Sequence, residues 1–347
     1  MADRDVRDSE RRALAEGSLE SEAAYMRKRI REGANDADLS NLLKGFNSNV
    51  DEILEQTDLS EGRQLLLKAR FLIEQQIAFA LENAIQPREG DAPLPSREAI
   101  LASVMRTLTP AQAREILQFN EAKLVITPVT SVERYREELN AASQTMEGSR
   151  EPYVSEFTQD HLNTQATQAQ VEGNKIKKWR FAITEGAQTF DIPEWDNGQE
   201  SLRDRINNRF NPRFHQSKMS RLDYQSYVGL MIQGLRQGKP IDCEYLNHSR
   251  KAGAQFEWQY TLLNETDEEN GLVGAGLWHS DARSVGLYEF YLDLQHVDAR
   301  LRPAVMGVVI GFLIFLFPHF SFPRKSRESI FQSAVNRNHP EDSGGLP

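Results

Sequence analysis

Cysteine is all but missing from this chain. Cys243 is the only one, which excludes an intramolecular disulfide. Asp242 and Glu244 flank it and would keep its thiol protonated, so it reads as structural rather than nucleophilic. Histidine is sparse and scattered. His161, His215, His248, His279, His296, His319 and His339 show no HxxxH spacing, and no metal site is expected. The phosphate loop GxxxxGK followed by Ser or Thr is absent. The nearest approach to GxGxxG, opening at Gly274 and Gly276, reaches His279 where its last glycine should stand, so nucleotide binding through either motif is not supported. No GxSxG marks a hydrolase elbow. No repeat recurs, and no heptad persists long enough for a coiled coil. The residues nominate no catalytic group, no cofactor site and no metal ligand.

Positive charge is also short. A net charge of −10 argues against general affinity for nucleic acid or anionic lipid, though a local patch is a separate matter. The opening MADRDVRDSERR contains no apolar leader, and with a single cysteine the expected home is a reducing cytosol.

What the chain does have is one long oily run. Ala304–Phe317, AVMGVVIGFLIFLF, is followed by PHFSFP, and no residue from Pro303 to Pro323 carries a full charge. Spanning a hydrocarbon core of about 30 Å takes about 20 helical residues. Residues 304–323 reach that length only by running through Pro318, which kinks a helix. Arg324, Lys325 and Arg327 beyond the run favour a cytoplasmic C-terminus, which conflicts with the missing leader. Two homes are therefore in play: lipid, with 304–323 as a membrane anchor, or the protein interior, as a strand or core helix. A disordered tail is the third outcome.

The rest reads as an α+β protein: an N-terminal helical bundle over 1–86, a linker at 87–95 (PREGDAPLP), a mixed helix and strand domain over 96–302, the apolar segment 303–323, and a polar tail 324–347 expected to be disordered. Ser18 caps a first helix with acidic residues in its first turn and basic ones in its last, and Leu39–Gln56 carries a second apolar stripe. Ser60–Ile85 is apolar over more than half its circumference, so it needs cover from its own bundle or from a partner protein, self or other. Ser96 and Thr109-Pro110 open the next two helices, KLVIT at 123–127 is a strand ended by Pro128, and Ser131 caps a helix to Leu139. Glu147–Gly173 is polar and reads as a loose, partly helical excursion. Trp179–Thr184 is a strand, Gly198–Arg209 a helix broken by Asn211-Pro212, and Ser220–Leu235 a stronger helix. Phe256–Leu263 and Ser284–Leu294 are strands, and Gly271–Trp278 is a bent strand or a loop.

One stretch reverses the sign of its surroundings. Asn174–Arg221 is rich in Lys and Arg, with Trp179, Phe210 and Phe214 among them. Arg205, Arg209, Arg213 and Lys218 are the candidate phosphate contacts of a nucleic-acid or other polyanion site. The competing expectation turns the phenylalanines inward and pairs the arginines with Glu200 and Asp204. The leading functional expectation is a non-enzymatic interaction or scaffold protein, tethered to a membrane if 304–323 is an anchor. Polyanion binding is the alternative, and an enzyme assembled from scattered carboxylates and histidines is the third class.

Overall fold

The computed structural model describes residues 2–146, 150–168, 175–187, 200–242, 260–279, 283–295 and 299–309. Its first part is helical: α1 (Ala2–Glu16), α2 (Leu19–Arg31), α3 (Asp36–Gly45), α4 (Val50–Glu55) and α5 (Glu61–Glu82). Capping chemistry is visible at the starts of α2, α3 and α4, whereas Ser60, expected to open α5 as its cap, makes no side-chain cap hydrogen bond. Ser18 Oγ accepts the Ser21 N–H, Asn35 Oδ1 those of Ala37 and Asp38, and Asn49 Oδ1 that of Asp51. Asn49 is why the single segment expected at 39–56 is two helices. The break is pinned by Glu22, whose buried carboxylate accepts the backbone N–H groups of Asn47 and Ser48.

α5 connects two cores. Leu67 and Phe71 face a small one built from Ala23, Met26, Leu39, Leu43, Ile53 and Leu54. Ala69, Ile73, Ile77 and Ala80 face a second, much larger one that continues to Val309. Leu65, Leu66, Leu72 and Leu81 also pack on that larger core. The apolar girth of this helix is thus covered within its own chain.

The mixed part follows: α6 (Arg97–Thr107), α7 (Pro110–Ile116), β1 (Ala122–Val129), α8 (Val132–Ser143), β2 (Tyr153–Val154), α9 (Glu156–Gln168) and β3 (Lys178–Glu185). Then come α10 (Leu202–Asp204), a wide π turn at Arg205–Phe210, α11 (Asn211–Phe214), β4 (Ser220–Arg221) and α12 (Tyr224–Arg236). The chain closes with β5 (Tyr260–Asp267), β6 (Leu272–His279), β7 (Ser284–Tyr291), β8 (Ala299–Arg300) and β9 (Pro303–Val309). One sheet has the order β1-β3-β9-β4 with antiparallel neighbours; the other is β2-β7-β6-β5-β8, a β5–β6–β7 meander with short parallel strands at its edges. The fold is α+β.

Between the sheets runs α12. All but one of its residues are buried, the polar Gln225, Ser226 and Gln233 included. Gly229 sits against Val125 and Thr127 of β1, and Gln233 Nε2 donates to Leu124 O. On roughly the opposite side, about 140–180° round the helix, Tyr224 covers Gly274 and Tyr227 covers Gly276 of β6. Those two glycines, which resemble a nucleotide loop in sequence, are the flat bed for two tyrosine rings.

Two expectations change. β1 runs through Pro128 instead of ending there, because Leu124 and Pro128 turn their backbone groups to the sheet's outer edge, where proline's missing N–H costs nothing. That edge is closed by side chains: Leu124 N donates to Gln76 Oε1 (2.6 Å), and Tyr135 Oη donates to Pro128 O (2.5 Å). Pro212 does not end the helix before it; the preceding π turn changes the carbonyl register that an α-helical proline would strike. The polar stretch 147–173, expected to be partly helical, does hold a helix, α9, with Thr158, Leu162 and Ala166 buried.

The start of the oily run is a strand. Pro303–Val309 is a sheet strand paired along β3 and, at its start, with β4, so no helical span begins at Ala304. Residues 310–323 lie outside the described residues, and as a helix that length would reach ~21 Å, short of the ~30 Å of a bilayer core. Among the described residues, no helix is long and apolar enough to cross a membrane.

Candidate functional site

The basic stretch is largely spent on the fold. Arg205 has no exposure, and its Nη1 lies 3.4 Å from Ala299 O. Arg209 forms a two-pronged pair with Glu200, at 2.6 and 2.7 Å. Phe210 and Phe214 are buried and packed on one another. Arg213 lies over the Phe214 ring, with its guanidinium carbon 5.3 Å from the centroid. Of the four candidate phosphate contacts, Arg213 and Lys218 stay exposed, Arg205 is buried, and Arg209 is partly buried in its pair with Glu200. Nearby, Arg203 bonds Glu268 and Asp293, and Arg180 pairs with Asp223. Arg221 is buried, and desolvation pulls its guanidinium down to about 10 against the opposing pull of Glu265 and Glu268.

Two buried clusters carry the strongest electrostatics. In the first, Arg302 and Asp242 meet at 2.6 Å with neither side chain exposed. Arg302 also donates to the carbonyls of Glu185 and Ala187 and from Nε to Thr261 Oγ1. Thr261 Oγ1 (2.6 Å) and Tyr227 Oη (3.1 Å) donate to Asp242 Oδ2. The pair therefore joins β9, β5 and α12. Asp242 takes a left-handed conformation, φ +52, which Asp tolerates better than most residues.

The second cluster sits at the start of α12. Asp223 Oδ1 caps the helix by accepting the Ser226 N–H, and the carboxylate of Glu265 on β5 accepts the Tyr224 N–H. Burial, with Asp223 close by, pushes the Glu265 carboxyl up to about 7. A native proton affinity above the unfolded one makes this group's contribution to stability full below about pH 4.5, and lost as pH rises through 7. Glu265→Gln keeps an acceptor for Tyr224 and removes the titration. The wild-type melting temperature should fall by a few degrees between pH 5 and 8, and the variant should be flat across that range; parallel curves from calorimetry would contradict this.

Neither cluster opens to solvent. Among the described residues, a groove of about 490 Å³ between α8 and β2 does, and it is within the usual size range for ligand sites. One wall is α8, with Arg136 and Asn140 one turn apart on the same face and Glu137 beside them. The other is Glu151, Pro152, Tyr153 and Val154. Tyr153 is 52% exposed. Its ring stacks on Tyr288 at 4.9 Å, and Tyr288 Oη shares a hydrogen bond with His279 Nε2. The exposed ring is fixed from behind.

Charges around the groove are unevenly matched. Glu137 is held by Arg88 at 2.8 Å. Arg134 is engaged by Glu138 and by the carbonyl of Gln86. Among the described residues Arg136 has no hydrogen bond or ion pair, and its Nε is closed off without an acceptor. The β2 edge facing the groove is poor in backbone groups: Pro152 lacks an N–H, and Gln159 Nε2 already donates to Val154 O at 2.9 Å.

No signal in the sequence singles out this groove. Arg136 and Tyr153 are ordinary residues on separate elements, and only the fold makes them neighbours. Of the histidines, His161 Nδ1 bonds Phe157 O, His215 is exposed and His279 bonds Tyr288. No three metal-ligating side chains gather among the described residues. Cys243, His248, His296, His319 and His339 lie outside the described residues. Compared with known proteins, the chain matches no family model, no curated protein and no solved structure.

Proposed function

We propose that this is a non-enzymatic interaction protein, and that the groove between α8 and β2 receives a segment of a partner protein. The observation that carries the reading is Tyr153: an aromatic ring half in solvent, locked by Tyr288, on the wall of an open groove. Tyrosine and arginine are the side chains that most often anchor protein interfaces, and a pre-set ring loses little entropy on binding. Both line this groove.

The partner surface is placed here rather than on the helix at 60–85, whose apolar residues pack on the chain's own cores. The alternative, a polyanion site, keeps Arg213 and Lys218 of its four contacts, and no observation favours it over the groove.

The test is selection of peptides, about 12 residues long and blocked at both ends, from a random library panned on the full chain. Peptides should be recovered that bind the wild type and bind Tyr153→Ala at least ~10-fold more weakly, the loss expected for an anchoring tyrosine. A library that yields none, or yields only peptides indifferent to Tyr153→Ala, removes the groove as the binding site.

A further inference from the structure

The groove's charge balance says something about what fills it. We infer that the bound segment presents an acidic side chain to Arg136, next to an apolar or aromatic residue lying on Tyr153. This rests on the groove reading above and adds the chemistry of the occupant.

Arg136 is the starting point. Arg88, Arg134 and Arg236 all engage Glu138 of α8 and so each have a carboxylate or carbonyl partner, while Arg150, next to Glu151 in the chain, is exposed. Arg136 has neither, and its Nε is sealed without an acceptor. No described carboxylate or carbonyl answers its charge, which is available to whatever enters the groove. A planar guanidinium is matched best by a carboxylate or phosphate held through two parallel hydrogen bonds.

The lining chooses between those anions. Glu137 and Glu151 face the same space, and a phosphate near two negative charges would meet both with its second charge. A carboxylate brings one charge, which Arg136 balances. Asn140, one turn along α8, adds a neutral amide within the same wall.

A chain-terminal carboxylate is disfavoured by the other wall. Capture of a terminus draws on a row of backbone N–H groups, and β2 lacks one at Pro152. The recognition left is side chain to side chain: acid on Arg136, ring or aliphatic group on Tyr153. Glu151 stands at the same wall, so a basic residue in the segment has a partner there as well.

The peptides recovered by the library selection serve as probes, with both ends blocked so that only side chains can supply the acid. Each is remade with its Asp or Glu replaced by Asn or Gln. Fluorescence anisotropy should show at least ~10-fold weaker binding of the amide peptides to the wild type, as expected for loss of a charge-assisted pair. Arg136→Gln, a half-exposed position whose variant is checked by its melting curve, should bind acid and amide peptides equally. If selected peptides depend on Tyr153 yet contain no acid, or if Arg136→Gln leaves the acid preference intact, this inference fails while the groove stands. If no peptide depends on Tyr153, both fail.

Discussion

Asp242→Asn should cost the fold about 3–5 kcal/mol, because it leaves the Arg302 guanidinium buried without its counter-charge. Asparagine keeps the shape and accepts the left-handed backbone at this position, so the loss reports charge and not strain. Arg302→Met should cost a similar amount by stranding the carboxylate with two hydroxyl donors, Thr261 and Tyr227. The informative variant is the double one. With both charges gone the uncompensated ion disappears, and the loss should be well below the sum of the singles, a coupling of about 2–3 kcal/mol. Urea unfolding of the four proteins measures it. Additive losses would mean that the two groups do not act as a pair, and that the junction of β9, β5 and α12 is held by apolar packing.

The second large effect is expected under Tyr227. A Cβ built on Gly276 would lie well under 3.0 Å from three atoms of that ring. The ring is fully buried and tied through its hydroxyl to Asp242, so it has nowhere to retreat. Gly276→Ala should destabilise by about 3 kcal/mol, at the upper end for overpacking. Gly45→Ala is the control, since nothing lies within 4 Å of a Cβ placed there. Tyr227→Leu introduced with Gly276→Ala should recover part of the loss by vacating the contact. Thermal melts that place Gly276→Ala level with Gly45→Ala would show that β6 and α12 are less tightly joined than the geometry requires.

Local chemistry explains what was legible in the sequence. Ser18, Ser96, Ser131 and Thr109-Pro110 open helices where their side chains cap N–H groups. KLVIT, WRFAIT and the run from Ser284 form strands because their apolar and β-branched residues fit a pleated, half-buried surface. The α+β class follows from that mixture. What stayed hidden depends on which element lies across from which. Pro128 and Pro212 look like breaks until the sheet edge and the π turn are known. His279 already rules Gly274 and Gly276 out as a phosphate loop, but what the two glycines are for is seen only when two tyrosines are placed over them. The run at 304 looks slightly better suited to lipid than to a sheet, since short apolar stretches have no period to decide by, and its first residues form a strand.

The candidate site shows the same limit. Arginines 205 and 209 stood out by density of charge along the chain, yet the fold turns one inward and gives the other to Glu200. Arg136 stood out by nothing. It is conspicuous only once its neighbours have been matched with partners and it has not.

The position of β9 has a consequence for how this protein is made. It is an interior strand of its sheet, and it sits beside the arginine that neutralises Asp242. During synthesis the ribosome delivers residues 303–309 long after α1–α5 have emerged, so the small N-terminal core can close early. The central helix must wait, its upstream sheet incomplete and a carboxylate lacking its cation, until that late strand arrives. The nascent chain is therefore most exposed to misassembly, and most in need of a chaperone, between the emergence of α12 and that of Val309.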